Sequence, residues 1–181
     1  MKYYKKITLK DGRECIIRNG TFEDGKAALD VFTLTHIETD YLMSYPDEIT
    51  FTAEEEADYL KNKTESEKEA ELVAEVDGKI VGLGGIEQAG IHFKTCHRAD
   101  FGVSIIKEYW GLGIGRALTK ANIECAKSAG YDYIELEVVS DNTSAYKLYL
   151  SEGFKEYGRK PWGFKTRDNG YQELILMGKE L

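Results

Sequence analysis

Phe101-Gly102-Val103-Ser104-Ile105-Ile106-Lys107-Glu108-Tyr109-Trp110-Gly111-Leu112-Gly113-Ile114-Gly115-Arg116-Ala117-Leu118 is the stretch on which the fold turns. Its first half carries Val103, Ile105 and Ile106, β-branched residues that favour a strand. Three glycines follow at alternate positions. Ile114, Ala117, Leu118, Ala121 and Cys125 then recur at helical spacing, up to Gly130, a residue suited to end a helix. A strand, a glycine turn and a helix start form a device for holding phosphate. The first-turn N–H groups of a helix lack intrahelical acceptors, and the peptide dipoles concentrate positive charge there. Glycines let the backbone approach an anion closely. The spacing Gly111-x-Gly113-x-Gly115 is neither the Gly-x-Gly-x-x-Gly of a dinucleotide site nor a P-loop, which ends in Gly-Lys-Ser/Thr. Taken alone, the turn fits a phosphate cradle and a plain strand-to-helix connection equally well.

Working outward, Tyr4 to Arg18 reads as a hairpin with a type I′ turn at Asp11-Gly12. Thr21 with Asp24 opens a first helix running to about Ile37, and Thr52 with Glu55 caps a second. Glu38 to Thr50 between them reads as an irregular segment rich in acidic and aromatic residues. The charges from the second helix through Glu71 read as a solvated face. Strands are expected from Ala70 to Val76 and Lys79 to Ile86 around an Asp77-Gly78 turn. Gly82, Gly84 and Gly85 mark a bulge or a close neighbour in the second of these. Tyr133 to Val139 is a further strand, and Asn142 or Thr143 caps a helix that Gly153 ends. Two closing strands, Phe154 to about Trp162 and Tyr171 to Met177, meet at Asp168-Asn169-Gly170. This order predicts one α/β (α+β) domain over residues 1–181 with a mixed sheet.

The composition excludes several classes. A net charge of −8 argues against nucleic acid as a partner; the acidic field either simply aids solubility or favours a cationic substrate. No apolar run reaches the roughly 18 residues of a membrane span. Met1-Lys2-Tyr3-Tyr4-Lys5-Lys6 is basic but no apolar stretch follows, so no signal peptide is expected. Cys15, Cys96 and Cys125 are odd in number and far apart, which points to free thiols in a reducing compartment, the cytoplasm. His36, His92 and His97 have no metal-ligand spacing, and no metal is expected.

Two segments then combine. The opening stretch is followed about 30 residues later by Asn142-x-x-Ala145-x-x-Leu148-Tyr149-x-x-x-Gly153-Phe154. Together, with a strand between them, they resemble the GNAT superfamily of acetyl-CoA-dependent N-acetyltransferases from about Ala70 to Met177. The resemblance implies the GNAT fold, with a mostly antiparallel central sheet flanked by helices, and acetyl-CoA (coenzyme A) as cosubstrate. Gly113 and Gly115 match the small positions of the family's Gln/Arg-x-x-Gly-x-Gly/Ala signature, while Trp110 stands where Gln or Arg is usual. Backbone N–H groups of Gly111, Leu112, Gly113, Ile114, Gly115 and Arg116 would hold the pyrophosphate. The Arg116 side chain would either add a phosphate contact or remain solvated. Val103, Ser104 and Ile105 would pair with the pantetheine arm as a strand does, with one N–H on the thioester carbonyl. From its spacing Tyr149 is a core tyrosine; the resemblance implies an acid that protonates the departing thiolate. Asn142 would contact the cofactor arm and cap its helix.

The same resemblance implies amine attack on a thioester. The amine arrives protonated, so a base is needed. Asp100 is the leading candidate; Glu87, Glu38 and a chain of waters are alternatives. No cysteine or serine sits in a nucleophile setting, so direct transfer to a small cationic amine in a ternary complex is expected. The acceptor is placed beside Glu38 to Glu48 and near Trp162 to Tyr171. A protein amino group, or a non-catalytic acyl-CoA sensor or interaction module, is the alternative, and a homodimer is compatible with either.

Overall fold

The computed structural model describes residues 1–181. Eight strands form one sheet: β1 Tyr4–Thr8, β2 Glu14–Asn19, β3 Ala70–Val76, β4 Lys79–Gln88, β5 Arg98–Ile105, β6 Tyr133–Val139, β7 Lys155–Thr166 and β8 Gly170–Glu180. Four helices pack on it: α1 Gly25–Glu38, α2 Ala53–Glu65, α3 Ile114–Ser128 and α4 Thr143–Ser151. The strand order is β1-β2-β3-β4-β5-β6-β8-β7. Every neighbouring pair is antiparallel except β5 and β6, which the crossover through α3 makes parallel.

The larger core lies between the sheet and α3 with α4. It joins Ala99 and Phe101 of β5 to Ile114, Leu118 and Ala121 of α3, Tyr149 of α4 and Phe154. A smaller cluster of Ala28, Val31, Leu60, Val73 and Leu83 seats α1 and α2 on the opposite face. The Thr52 capping box forms as its sequence predicts, with the Thr52 hydroxyl accepting from the Glu55 N–H at 3.2 Å.

Two sequence expectations are corrected. The first hairpin does not close through a two-residue turn at Asp11-Gly12. Residues 9–13 form a wider loop in which the Gly12 N–H donates to Leu9 and the Leu9 N–H to Arg13. The extra length frees the Lys10 N–H, which donates to the Leu112 carbonyl at 3.1 Å and so ties the hairpin to the glycine turn. The charges of α2 are not all solvated either. Glu56 and Lys63 are buried, because α2 lies along β3 and turns them onto the sheet.

Candidate active site

Strand β5 stays paired with β4 along its whole length, from Gln88↔Ala99 to Gly82↔Ile105. Its pairing with β6 is much shorter, only Arg98↔Tyr133, Ala99↔Ile134 and Asp100↔Glu135. Beyond Asp100 the two parallel strands part, and β5 has an open edge inside the sheet. The Ile106 N–H donates to Val81 and Arg98 accepts from Ala89, so even-numbered residues of β5 turn their peptide groups to β4. Val103 and Ile105 therefore present theirs to the open edge. Ser104 turns its own toward β4, and its side chain toward the α1/α2 face with its partner Leu83. Of the three strand residues expected to hold an extended ligand, Val103 and Ile105 have backbone groups placed for it.

Trp110 closes the far end of that edge. Its indole N–H donates to the Ile105 carbonyl at 2.6 Å, and the Lys107 ammonium lies 5.9 Å from its ring. The side chain at the position where the resemblance expected Gln or Arg thus links the strand to the turn. Trp110→Phe keeps a ring and removes the bond. It should lower stability by about 0.5–1 kcal/mol for this half-exposed pair, read by urea unfolding.

The glycine turn leaves open space beside its backbone. Gly111 and Gly113 have φ of 78° and 105°, and a Cβ on either would meet nothing within 4 Å. Gly113 is the N-cap of α3, and the first helical bond is the Ala117 N–H to its carbonyl. The N–H groups of Ile114, Gly115 and Arg116 precede it and have no acceptor in the chain. Gly115 packs where a Cβ would come within 3.3 Å of Ile105 and Leu148, so the turn, β5 and α4 converge there. The Arg116 side chain leaves the turn: its guanidinium reaches Glu152 at 3.2 Å and Ser151 Oγ at 3.0 Å.

Tyr149 stands beside the parting of the strands. It is 7% exposed, and its ring packs edge-on to Phe101 at 6.1 Å and against Phe154 at 5.8 Å. Phe101 is the β5 residue immediately after the last one paired with β6. Burial alone pushes the phenol far above its usual range, so it stays protonated at any physiological pH. Asn142 caps α4, its Oδ1 accepting from the Ala145 N–H at 3.2 Å. Its amide nitrogen stays available.

Asp100 lies at the closed end of the split, across from Glu87 on β4 and Glu135 on β6. Burial first, and then the Glu135 charge, raises its carboxyl above the ordinary value. Glu87 is engaged by the Lys63 ammonium at 2.8 Å and the Tyr59 hydroxyl at 3.0 Å. Glu38 is used elsewhere, accepting from the Lys107 N–H at 2.6 Å. The segment from Thr39 to Tyr45 and the β7–β8 hairpin, through Gly163 to Thr166 and Gln172, line a cavity of about 170 Å³. Arg167 joins its walls, with its N–H on the Tyr45 hydroxyl at 2.9 Å and its guanidinium on Asp47 at 2.9 Å. Gln172 lines the cavity and its buried Oε1 has no donor. Trp162 and Tyr171 stack on each other at 5.0 Å; Tyr171 alternates with Gln172 and so projects from the opposite face.

A free strand edge, a helix start with unbonded N–H groups and a buried phenol beside the gap lie together. Residues 34–154 match the model of the acetyltransferase (GNAT) family. The chain belongs to the GNAT family. Among the relatives, the L-amino acid N-acetyltransferase AaaT of Escherichia coli is 36% identical over 110 residues, 60% of this chain and 67% of that one. A mycothiol acetyltransferase of Actinosynnema mirum is 33% identical over 95 residues, half of this chain but only 32% of that longer protein. A GNAT acetyltransferase from Streptococcus pneumoniae superposes with a TM-score of 0.87 at 28% identity, covering 92% of this chain and 99% of its own. The parting of β5 from β6 leaves free the backbone of Val103 and Ile105, which the resemblance expected to pair with a ligand, but the residues of β5 do not themselves show it. The pairing partner of a strand is set by topology, and β5 reads as one uninterrupted β-rich run.

Proposed function

We propose that this GNAT chain transfers the acetyl group of acetyl-CoA to a primary amine of a small cationic acceptor, by direct attack in a ternary complex. The observation that carries the reading is the open edge of β5, flanked by the glycine turn at one end and Tyr149 beneath. Acetyl-CoA supplies an activated acetyl thioester. The N–H groups of Ile114, Gly115 and Arg116, with Gly111 to Gly113 leading into them, hold its pyrophosphate. Val103 and Ile105 align the pantetheine arm, with the Ser104 hydroxyl beside it, and Asn142 contacts the arm through its free amide nitrogen. A Val103 or Ile105 N–H, fixed in place beforehand, stabilises charge on the reacting carbonyl oxygen. Tyr149 donates its proton to the leaving sulfur.

The acceptor approaches over the α1/α2 face. Asp100 attracts an ammonium there and offers one place for its proton. Gln172 Oε1 suits a further N–H or O–H donor on the acceptor. The Escherichia coli relative acts on L-amino acids by its name, and an α-amino group is one such primary amine. Direct attack is supported by the thiols. Cys15 and Cys125 are buried and pushed up to about 11 by that burial, the reverse of an activated nucleophile. Three unpaired cysteines suit the cytoplasm.

Thiol release from acetyl-CoA, measured with a panel containing an aliphatic diamine, an amino sugar and an α-amino acid, tests this function. Release that depends on one of these amines is expected. Binding of acetyl-CoA with no amine-dependent release would favour a sensor. Tyr149→Phe should lower kcat by about 100-fold, within the usual range for a lost acid, and leave acetyl-CoA affinity unchanged. An unaltered kcat removes Tyr149 from the mechanism.

A further inference from the structure

A cross-strand row on the acceptor face consists of Glu71 on β3, Gly85 on β4 and Gly102 on β5, paired in register. Val73 and Leu83, two residues away, belong to the cluster under α1 and α2, which fixes the face on which this row lies. The Glu71 side chain lies across Gly85, where any Cβ would overlap its Oε2. Beyond it Gly102 is open, with nothing within 4 Å of the position of a Cβ. The two glycines clear a furrow that starts at the Glu71 carboxylate and ends at the open edge of β5, beside the Val103 N–H. One strand spacing of about 4.8 Å separates Gly85 from Gly102, room for a single amino group between the carboxylate and a thioester at that edge.

The surroundings of Glu71 leave it without a counter-ion of its own. From α2 come Glu56, Tyr59 and Lys63, from β4 comes Glu87, and Asp100 lies on β5 beyond Glu87. Lys63 is already shared by Glu69 and Glu87, both at 2.8 Å. Tyr59 gives its hydroxyl proton to Glu87. Glu56 is 8% exposed, and burial raises its carboxyl. Glu56 and Glu71 therefore repel one another, and the nearby Lys63 ammonium, which attracts Glu71, is divided with two other carboxylates.

We propose that Glu71 is the principal proton acceptor for the amine, with Glu56 as the positioning residue that keeps it basic. This assignment rests on the acetyltransferase reading and names the class of acceptor that the furrow admits, an unhindered primary ammonium. The ammonium gives one proton to the Glu71 carboxylate. The freed lone pair forms the C–N bond as the C–S bond breaks. Tyr149 protonates the sulfur, and the nitrogen's second proton restores Tyr149. Burial and the Glu56 charge push Glu71 up to about 8, a value suited to accepting a proton near neutral pH. A base raised in this way works above its pKa, so kcat/KM for the amine should fall as pH drops below about 8.

Kinetics of Glu71→Gln, Glu56→Gln and Asp100→Asn with the best amine of the panel, from pH 6 to pH 9.5, test the assignment. Glu71→Gln should lower kcat about 100-fold and flatten that limb, with acetyl-CoA affinity unchanged as evidence of an intact fold. Glu56→Gln should keep most of the activity and move the limb to lower pH. A limb that survives in Glu71→Gln and vanishes in Asp100→Asn would overturn the proposal while leaving the acetyltransferase reading in place. A rise in acceptor KM alone, at unchanged kcat and pH limb, would make Glu71 a binding carboxylate and overturn it too. No release from the native chain with any amine would overturn the acetyltransferase reading and this assignment with it.

Discussion

Gly113→Val should weaken acetyl-CoA binding by at least about 100-fold and leave the sheet intact. Two effects combine. The residue sits at φ 105°, a region that a β-branched side chain enters only with strain of about 1–3 kcal/mol. Relief of that strain rotates the peptide groups that open α3, and with them the unbonded N–H groups of Ile114, Gly115 and Arg116. The valine side chain would also stand in the open space where a phosphate must come against the backbone. A 100-fold loss corresponds to about 2.7 kcal/mol, within what strain and lost anion contacts together supply. Titration calorimetry with acetyl-CoA reads the loss, and unchanged far-ultraviolet circular dichroism shows the retained fold. Native affinity in Gly113→Val would mean that the turn does not hold the cofactor.

Phe154→Ala should cost about 3–5 kcal/mol of stability, the largest effect expected of a single core substitution here. Phe154 is 2% exposed, and its ring is wedged between Phe101 at 6.3 Å and Tyr149 at 5.8 Å. Its backbone N–H also donates to the Tyr149 carbonyl at 3.0 Å. Removing the ring leaves a cavity under the place where β5 and β6 part, because no neighbouring helix can close it without moving α4. The melting midpoint should fall by about 2–4 °C for each kcal/mol lost. Residual activity should fall as well, since Tyr149 loses one of the two rings that orient it. A change of under 1 kcal/mol in urea unfolding would show that the aromatic trio is not a packed unit.

Much of the fold was legible because its signals are local. The Thr52 capping box, the Asp77-Gly78 turn with φ 51° and 73°, and the β-branched run from Tyr133 to Val139 each declare their element within a few residues. The glycine turn and the Asn142 helix were legible for the same reason. The parting of β5 and β6 was legible only through the resemblance, which expected Val103 to Ile105 to pair with a ligand; nothing in Phe101 to Ile105 themselves says which edge will be left unpaired. Glu71 was read as part of a solvated charged run, because a sequence does not show that two glycines on different strands fall into its row. Gly85 was noted as a place of close approach, but its neighbour, the Glu71 carboxylate, is set by register alone. The Asp11-Gly12 turn was misjudged in length because the demand on it is tertiary, the bond from Lys10 to Leu112.

In the proposed function the open edge of β5 and the glycine turn form one acetyl-CoA site. Backbone amide shifts of ¹⁵N-labelled protein, followed as acetyl-CoA is added, test it most directly. The largest shifts are expected at Val103, Ile105 and Gly113 to Arg116, saturating together, with little change in the β1–β2 strands. Shifts that spare Val103 and Ile105, or that cluster around Arg18, Asp30 and Glu75 in the groove between α1 and the β3–β4 hairpin, would contradict it.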